Sequence, residues 1–529
     1  MHWLRVVYNL AILISALVAA GAQALSDDRI VPNKPILLLS NSELGQANVF
    51  LATSQSLLSN YPSAEVHYAS FPSISGAVSA ASHRVSTSAG ARPITFHPLN
   101  GTTYVDKIAE QGFQVRDLPH RPGLLGAATA LKNAATLLLP WTGPEHVDIY
   151  EDIRRVIESV DPGLVVVDSM FAPAHDAVLQ TQVKHVVLAP NSMRDFIFTE
   201  QPQGEALWKF PVMGSAFPYP LPWHLIPSNF LIWARMFSTI ISSFYFGRIN
   251  ELTAYRKSHG IQDPVDLLHP IMDTSTMLVA SSPQIEYPMV IPPNVLPCGP
   301  IVSQPEPLSA VDPDLASWLA SCPTVLVNLG SHAEYDFEKV QRFARLAIYV
   351  LARSDVQVLW KIDRSTADFP SDVLHGLEHD ITHRRLRIVD WIPGDVSSLL
   401  DSGRIICAVH HGGASSFHES LAAGVPQVVL PIWLDTYDYA VQAEWLGVGV
   451  WGNRGNAPLV HEDELTDAVL KVICDHEEGR SIRQKAKEVA AGFSRPGRDV
   501  AAEYIFRALR SEENQFTSSG RDTTVRDEL

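Results

Sequence analysis

Short apolar runs and longer amphipathic stretches alternate along most of this chain. Ile36 to Ser40 (ILLLS) predicts a first buried strand, and Asn48 to Leu58 places Val49, Phe50, Leu51, Leu57 and Leu58 in a helical pattern. Ala64 to Ala69 and Ile94 to His97 predict two further strands, with helices at Tyr104 to Gln111 and Leu124 to Leu139. Phe71 to Pro93, rich in Ser, Ala and Gly, reads as a loop or a mobile segment. Val147 to Val160 is a strongly amphipathic helix leading through Asp161-Pro162-Gly163 into the strand Leu164 to Val167, which ends at Asp168. A helix (Ala172 to Gln180) and a strand (His185 to Ala189) follow. After a Pro-rich stretch, Pro283 to Pro313, the alternation resumes. Strands are predicted at Val325 to Leu329, Val356 to Ile362, Leu386 to Val389 and Arg404 to Val409. Helices are predicted at Asp336 to Ala352, Glu462 to Cys474, Ser481 to Ala491 and Ala501 to Arg510. Strands alternating with helices predict parallel sheets covered on both faces, an α/β protein.

Phe230 to Phe246 breaks this rhythm. It is apolar almost all round, falls short of a transmembrane span and carries Arg235. It predicts either a helix buried in the first domain, or over a lipophilic pocket, or a helix lying in a membrane interface.

With 529 residues the chain has room for two sizeable domains, and 46% hydrophobic with 18% charged residues makes it globular. A formal net charge of -17 excludes a nucleic-acid backbone as partner. Cys298, Cys322, Cys407 and Cys474 are too scattered for a disulfide scaffold or zinc site, and Cys407 is expected as a buried thiol. Whether Cys298 pairs with Cys322 stays open. Residues 1–24 combine Arg5, an apolar run from Leu10 to Ala20 and Ala22-Gln-Ala24, the pattern of a cleaved secretory signal peptide. The chain ends Arg526-Asp527-Glu528-Leu529 after a polar tail, and RDEL resembles the retrieval signals that return proteins to the endoplasmic reticulum. Luminal residence is expected, with secretion or membrane association as the alternative. The sequon Asn100-Gly101-Thr102 makes Asn100 a glycosylation candidate.

The most informative stretch is Asp390 to Ala440. The apolar run RIICAV ends in His410, His411, Gly412 and Gly413. Ser415 and Ser416 then open a helix ending near Gly424, with Pro426 beyond. Paired glycines let the backbone approach a ligand, and free N–H groups at a helix N-terminus favour an anion; a diphosphate suits both. These residues, with Trp391-Ile-Pro393, HHGGASSFHE, Gly424-Val-Pro426, and Pro431 followed by Asp435, resemble the donor-binding signature of family 1 UDP-glycosyltransferases. Val325 to Ser331 (VLVNLGS) and Val358 to Asp363 (VLWKID) look like that family's preceding strands. The resemblance implies the GT-B architecture: two Rossmann-like parallel-sheet domains facing a cleft. It divides the chain into the signal peptide, an N-terminal acceptor-binding domain (25–302), a C-terminal UDP-sugar-binding domain (303–495) and a helix with polar tail (496–529).

Each part of a UDP-sugar has a candidate partner. Trp391 offers an aromatic face to uracil, and Glu419 a carboxylate to the ribose hydroxyls. His411, Gly413, Ser415 and Ser416 surround the diphosphate, and Ser331 reaches it from the preceding strand. Asp435 and Thr436 are placed for sugar hydroxyls. The resemblance gives matching residues the same roles. His410 is expected as a strand-end neighbour. The family often has Gln where Gly394 and Thr436 stand here, and glucose is the default sugar. Gly447-Val-Gly449-Val-Trp-Gly452 fits a dinucleotide motif in letters but not in context.

The expected reaction is an inverting displacement: an acceptor hydroxyl attacks the anomeric carbon and UDP leaves. No cofactor or metal is required, and UDP-sugar is a co-substrate. The family commonly uses a His after the first strand, oriented by an Asp. Gln46 stands at that His, and Gln is no base at neutral pH. Asp168, matching the family's Asp, is favoured as the direct base. His67, His97 and His175 are substitutes, and an acidic acceptor would need little help. The expected acceptor is a small lipophilic alcohol or phenol such as a polyketide, terpenoid or sterol, as in secondary metabolism, with peripheral membrane contact through Phe230 to Phe246. The alternatives are a non-catalytic UDP-sugar-binding protein, motivated by Gln46, and a transferase acting on a polymer or protein in the secretory path.

Overall fold

A computed structural model of the chain describes residues 34–112, 118–130, 139–264, 275–330, 335–364, 371–392 and 394–510. The signal-peptide and RDEL segments, Ser331 and Pro393 lie outside the described residues. Two wholly parallel sheets form the framework. The first has seven strands in the order β3-β2-β1-β4-β5-β6-β7: β1 Ile36–Leu39, β2 Val66–Ser70, β3 Thr95–Pro98, β4 Leu164–Asp168, β5 His185–Ala189, β6 Thr276–Val279 and β7 Val295–Pro297. The second has six in the order β10-β9-β8-β11-β12-β13: β8 Thr324–Val327, β9 Gln357–Lys361, β10 Leu386–Val389, β11 Ile405–His410, β12 Gln427–Val429 and β13 Gly449–Trp451. Both orders reverse direction once, between β1 and β4 and between β8 and β11. Open α/β sheets bind ligands at such switch points, beyond the strands' carboxyl ends.

The helices that matter below are α1 Leu44–Asn60, α2 Ser75–Ala89, α3 Gly143–Val160, α4 Ala172–Thr181, α5 Met193–Ile197, α6 Ile226–Phe246, α7 Phe337–Arg353, α8 Ala414–Ala423, α9 Leu434–Trp445 and α10 Gly497–Leu509. In α7 the strong amphipathic pattern buries Val340, Phe343, Ala344, Ala347, Val350 and Leu351 against the second sheet. Helix α2 corrects the expected loop at Phe71 to Pro93. Its buried positions Val78, Ala81, Ser82 and Val85 follow helical spacing, but most are small residues whose periodicity is faint. Gly90, at φ 64°, terminates it. Strand β7 lies inside the Pro-rich stretch; Pro297, on the sheet's edge strand, sits where a missing amide is tolerated.

Helix α10 returns to the first sheet's core, although it follows the second domain in sequence. Ala501, Ala502, Ile505 and Phe506 are buried with Ile36, Leu38 and Phe50, and Phe506 stacks on Tyr61 with ring centroids 3.8 Å apart. The four cysteines are free thiols, with Cys298 and Cys407 buried. No helix of the described residues is long and apolar enough to cross a membrane.

Several side-chain contacts tie the two halves across the cleft. Arg194 of α5 makes a buried 3.1 Å ion pair with Asp438 of α9. Arg84 of α2 donates to Asp395 at 3.2 Å. The imidazole of His120 accepts a hydrogen bond from the Leu434 amide at 2.9 Å.

Candidate active site at the two switch points

At the second sheet's switch point, β11 runs into Gly412 and Gly413 and then α8. Gly412 has φ +89°; a Cβ there would stand 2.8 Å from Val429 Cγ1 and 2.9 Å from the Thr436 carbonyl. A Cβ on Gly413 would lie 2.6 Å from His411 Nε2, and one on Gly330 would lie 2.8 Å from His411 Cε1. The imidazole of His411 therefore occupies the crevice between the ends of β8 and β11, in space that only glycines leave open. Ser415 and Ser416 lie half-buried in the first turn of α8, whose free amides form an anion cradle. His410, by contrast, is buried: it bonds Gln427 Oε1 at 2.9 Å and accepts from the Gly412 amide at 3.1 Å. Burial pushes its imidazole down to about 4, so it stays neutral and holds the loop.

Trp391 is 62% exposed, which leaves a ring face open. Lys361 Nζ sits 5.0 Å from the ring centroid and donates to the Gly330 carbonyl at 3.1 Å. Burial lowers the Lys361 pKa. This lysine, unremarked in the sequence motif, places a cation between the indole and the glycine loop. Glu419, on α8, is half-buried. Burial raises it to about 8, and the nearby Asp395 adds to the shift.

Asp435 and Thr436 lie in the first turn of α9 rather than at a strand end. The Asp435 carboxylate faces its own amide at the helix start; burial, then Asp438, raises it to about 7. Thr436 requires a correction as a sugar ligand. Its buried hydroxyl accepts from the Ile432 and Trp433 amides, each at 3.0 Å, and donates to the Trp433 carbonyl. That oxygen closes the turn that carries Asp435. Around it lies a group that the sequence did not reveal: Asp195, Glu286 and Asp438 gathered about the Arg194 guanidinium. Burial, against the pull of Arg194, raises Asp195 well above the carboxylate range.

At the first sheet's switch point, Asp168 ends β4 and is 0% exposed. One carboxyl oxygen accepts from the Asn41 amide at 3.1 Å, the other from the Met170 amide at 2.8 Å. Burial outweighs those bonds and raises it to about 7. Direct proton abstraction by Asp168 is thereby corrected: the value suits a base, but none of the group is open to an acceptor. The substitutes fare no better. His67 Nδ1 lies 2.7 Å from His97 Nε2, and His67 Nε2 lies 3.2 Å from Glu65, so both nitrogens of His67 are engaged. His175 is buried beneath Asp168 and bonds its backbone carbonyl at 3.0 Å. Gln46 lies in the first turn of α1, its Oε1 enclosed without a hydrogen-bond partner, as is Asn41 Nδ2. Glu43 caps the same helix, accepting from the Gln46 amide at 3.0 Å. It is half-buried at the rim and close enough to Asp168 to contribute to its raised pKa. Asn100 is exposed, just past the end of β3 at Pro98, and its side-chain amide donates to Asp152 at 3.1 Å. Among the described residues no group of three or more His, Cys, Asp or Glu could hold a metal ion.

The chain is similar to several known proteins. A family profile described as "Erythromycin biosynthesis protein CIII-like, C-terminal domain" matches residues 372–505. "Glycosyltransferase sdnJ" of Sordaria araneosa is 35% identical over 443 residues, 81% of this chain and 86% of the relative. A mouse "2-hydroxyacylsphingosine 1-beta-galactosyltransferase" is 27% identical over 231 residues, only 42% of this chain and 37% of the relative. Among solved structures, the glycotransferase of kitacinnamycin superposes with a TM-score of 0.59 at 17% identity, over 90% of this chain and 100% of that one. A UDP-glucosyltransferase from Polygonum tinctorium gives 0.58 at 17% identity, over 91% and 100%. At that identity the superpositions establish the shared two-sheet GT-B fold.

Proposed function

Since the chain belongs to the family 1 UDP-glycosyltransferases, we propose that it moves glucose from UDP-glucose to a hydroxyl of a small lipophilic acceptor. One observation carries the donor half: the crevice between β8 and β11 is walled by Gly330 and Gly413, whose missing side chains leave room for the His411 imidazole beside the α8 N-terminus. Trp391 takes the uracil, Glu419 the ribose diol, and the α8 N-terminus with His411 the diphosphate. Asp435 takes sugar hydroxyls. As the bond to the anomeric carbon breaks, negative charge grows on UDP at that helix end, where amides and imidazole stabilise it without rearranging.

The acceptor hydroxyl docks at the rim of β1 and β4, beside the half-buried Glu43 and Gln46. We assign the proton to Glu43, whose half-buried carboxylate stands at this rim and accepts from the Gln46 amide. Asp168 acts through its bonds to Asn41 and Met170, fixing the loop from which Glu43 projects.

A lipophilic acceptor is supported by α6. Phe230, Leu231, Phe237 and Ile241 lie exposed along one face of that helix, and Trp223 just before it is 82% exposed. The same face suits contact with a membrane surface. Retention in the endoplasmic reticulum through RDEL, entry through the signal peptide and glycosylation at Asn100 are part of the same proposal. Microsomal protease protection and an endoglycosidase mobility shift check those three.

The deciding experiment incubates the purified protein with UDP-glucose, UDP-galactose and UDP-N-acetylglucosamine and a panel of lipophilic alcohols and phenols, with products identified by mass spectrometry. A glucoside formed by wild type and not by His411→Ala is expected. Transfer only to polymeric or protein acceptors would overturn the acceptor class, and another sugar in the product would overturn glucose.

A further inference from the structure

The helix that carries Asp435 is capped from the other domain. The first turn of α9 presents amides without intrahelical partners, as every helix start does. The Thr436 hydroxyl takes those of Ile432 and Trp433, the Thr436 amide donates to the Trp433 carbonyl at 3.0 Å, and the Asp435 carboxylate takes its own amide. The remaining amide, Leu434, donates to Nε2 of His120 at 2.9 Å. Nδ1 of His120 donates to the Arg121 carbonyl at 2.9 Å, which fixes the tautomer that leaves Nε2 free to accept. The same residue makes two backbone contacts with this turn. Its amide donates to the Ile432 carbonyl at 3.0 Å, and its carbonyl accepts from the Tyr437 hydroxyl. The imidazole packs on the Tyr437 ring with centroids 5.1 Å apart. Gly214, also of the acceptor domain, backs the turn so closely that a Cβ would stand 3.2 Å from Leu434 Cα. His120 itself is buried.

We infer that His120 is a positioning residue, acting across the domain interface: it seats the Ile432 to Tyr437 turn and so sets Asp435 against the donor's sugar. The inference rests on the donor-site assignment proposed above. The groups assigned to uridine and diphosphate, Trp391, Glu419, His411 and the α8 N-terminus, belong to other loops. Trp433 of this turn packs on His411 with ring centroids 5.9 Å apart, so His120 acts on recognition of the sugar more than of UDP, and it makes donor recognition depend on the acceptor domain being docked.

The test compares wild type, His120→Ala and His120→Gln by calorimetric titration with UDP and with UDP-glucose, UDP-galactose and UDP-N-acetylglucosamine; the sugar nucleotide that wild type binds most tightly serves as the probe. Thermal melts of each variant report folding. Removing the imidazole leaves a buried amide unpaired, so His120→Ala should bind that sugar nucleotide about tenfold more weakly. UDP affinity should stay within about twofold. In His120→Gln the side-chain oxygen can accept from Leu434, and sugar-nucleotide binding should recover to within about threefold of wild type. Equal weakening of UDP and sugar nucleotide in His120→Ala, or no change in either, would overturn the positioning role. Failure of the Gln variant to recover, with a melt like that of wild type, would overturn it too. Wild type that binds no UDP would overturn the donor-site assignment itself, and this inference with it.

Discussion

The two sheets offer the same kind of crevice, and the chain has furnished them differently. Between β8 and β11, identity is imposed by distance: Gly330, Gly412 and Gly413 each leave space that a Cβ would fill. Between β1 and β4 the constraint is softer: a Cβ on Gly45 would stand 2.7 Å from Glu43 Oε2, the far end of a flexible side chain. The family's histidine position holds Gln46, the aspartate is closed over by backbone amides, and Glu43 stands at the rim. A diphosphate site is made mostly of backbone, so few residues can change without destroying it. An acceptor site is made of side chains, so it can be altered one residue at a time.

The largest effect should follow from filling the glycine crevice. Gly413→Ala would push a methyl group to within 2.6 Å of His411 Nε2 and displace the imidazole. A misplacement of about 1 Å costs roughly 100-fold in rate, so transfer should fall at least that far and UDP binding should weaken in calorimetry. Gly90→Ala is the control. Gly90 also has positive φ, +64°, but nothing lies within 4 Å; the strain of about 1 kcal/mol should lower the melting temperature and leave kcat/KM alone. If the two variants behaved alike, the crevice would not be what fixes the donor.

At the other switch point, Glu43→Gln should lower kcat roughly 100-fold, the ordinary reach of a general base, with UDP affinity unchanged. Asp168→Asn should act mainly on stability, because an amide NH2 would face a backbone amide that now donates to an oxygen. Its pH dependence has a definite sign. Asp168 rises from an ordinary 3.8 to about 7 in the folded protein. Its proton is therefore held more tightly by the folded than by the unfolded chain. The stability it contributes is full below about 3.8 and is lost as pH rises towards 7. Chemical denaturation across that window should show a flatter decline in Asp168→Asn. A larger kcat loss in Asp168→Asn than in Glu43→Gln would reverse the assignment of the base.

The local geometry at the second switch point was legible in sequence because its residues are neighbours in sequence. Strand, two glycines, hydroxyls and helix start fall within one short run, and the local geometry of a helix N-terminus needs nothing from elsewhere. His411, Gly413 and Glu419 stand out on that basis, and Trp391 through the family resemblance. Lys361, His120 and Arg194 could not, because each acts on a residue far away in the chain: on Trp391, on Leu434 and on Asp438. The enclosure of Asp168 was hidden for the same reason, since it depends on the Asn41 amide brought alongside by the pairing of β1 with β4. Thr436 misled because its hydroxyl could equally bond a sugar or close its own turn, and the turn takes it. Helix α2 misled because alanines and serines carry so little apolar contrast.

A smaller effect separates uridine recognition from the rest of the donor site. Glu419 in the free protein is raised to about 8 from an ordinary 4.5, so near pH 7 it is mostly protonated. Two ribose hydroxyls donating to it favour the carboxylate, so binding should pull its pKa down and release a proton. Calorimetry of UDP binding in buffers of different ionisation enthalpy should show release approaching one proton between about pH 6 and 7, falling away above about 8. Glu419→Gln should abolish the release. A wild type that binds UDP without proton release would remove Glu419 from the ribose.

The smallest effect on the donor should come from α6, and this makes the comparison sharpest. Phe237 lies on the helix's exposed apolar face, well separated in sequence from every donor group. Phe237→Ser removes apolar area without opening a core cavity, so the fold should tolerate it, and a melting temperature close to wild type checks this. UDP and UDP-glucose affinities should be unchanged. The KM for a lipophilic acceptor should rise several-fold, because a large side chain that covers apolar ligand surface contributes about 1.5–3 kcal/mol when fully buried and less when half-covered. Sedimentation with anionic vesicles distinguishes the two uses of this face. If Phe237→Ser lowers vesicle binding while KM for a water-soluble phenol is unchanged, the helix serves the membrane surface and not the acceptor pocket. If KM rises for the soluble phenol as well, the face belongs to the acceptor site. A fall in UDP affinity would mean that α6 reaches the donor half, and the division of labour between the two crevices would fail.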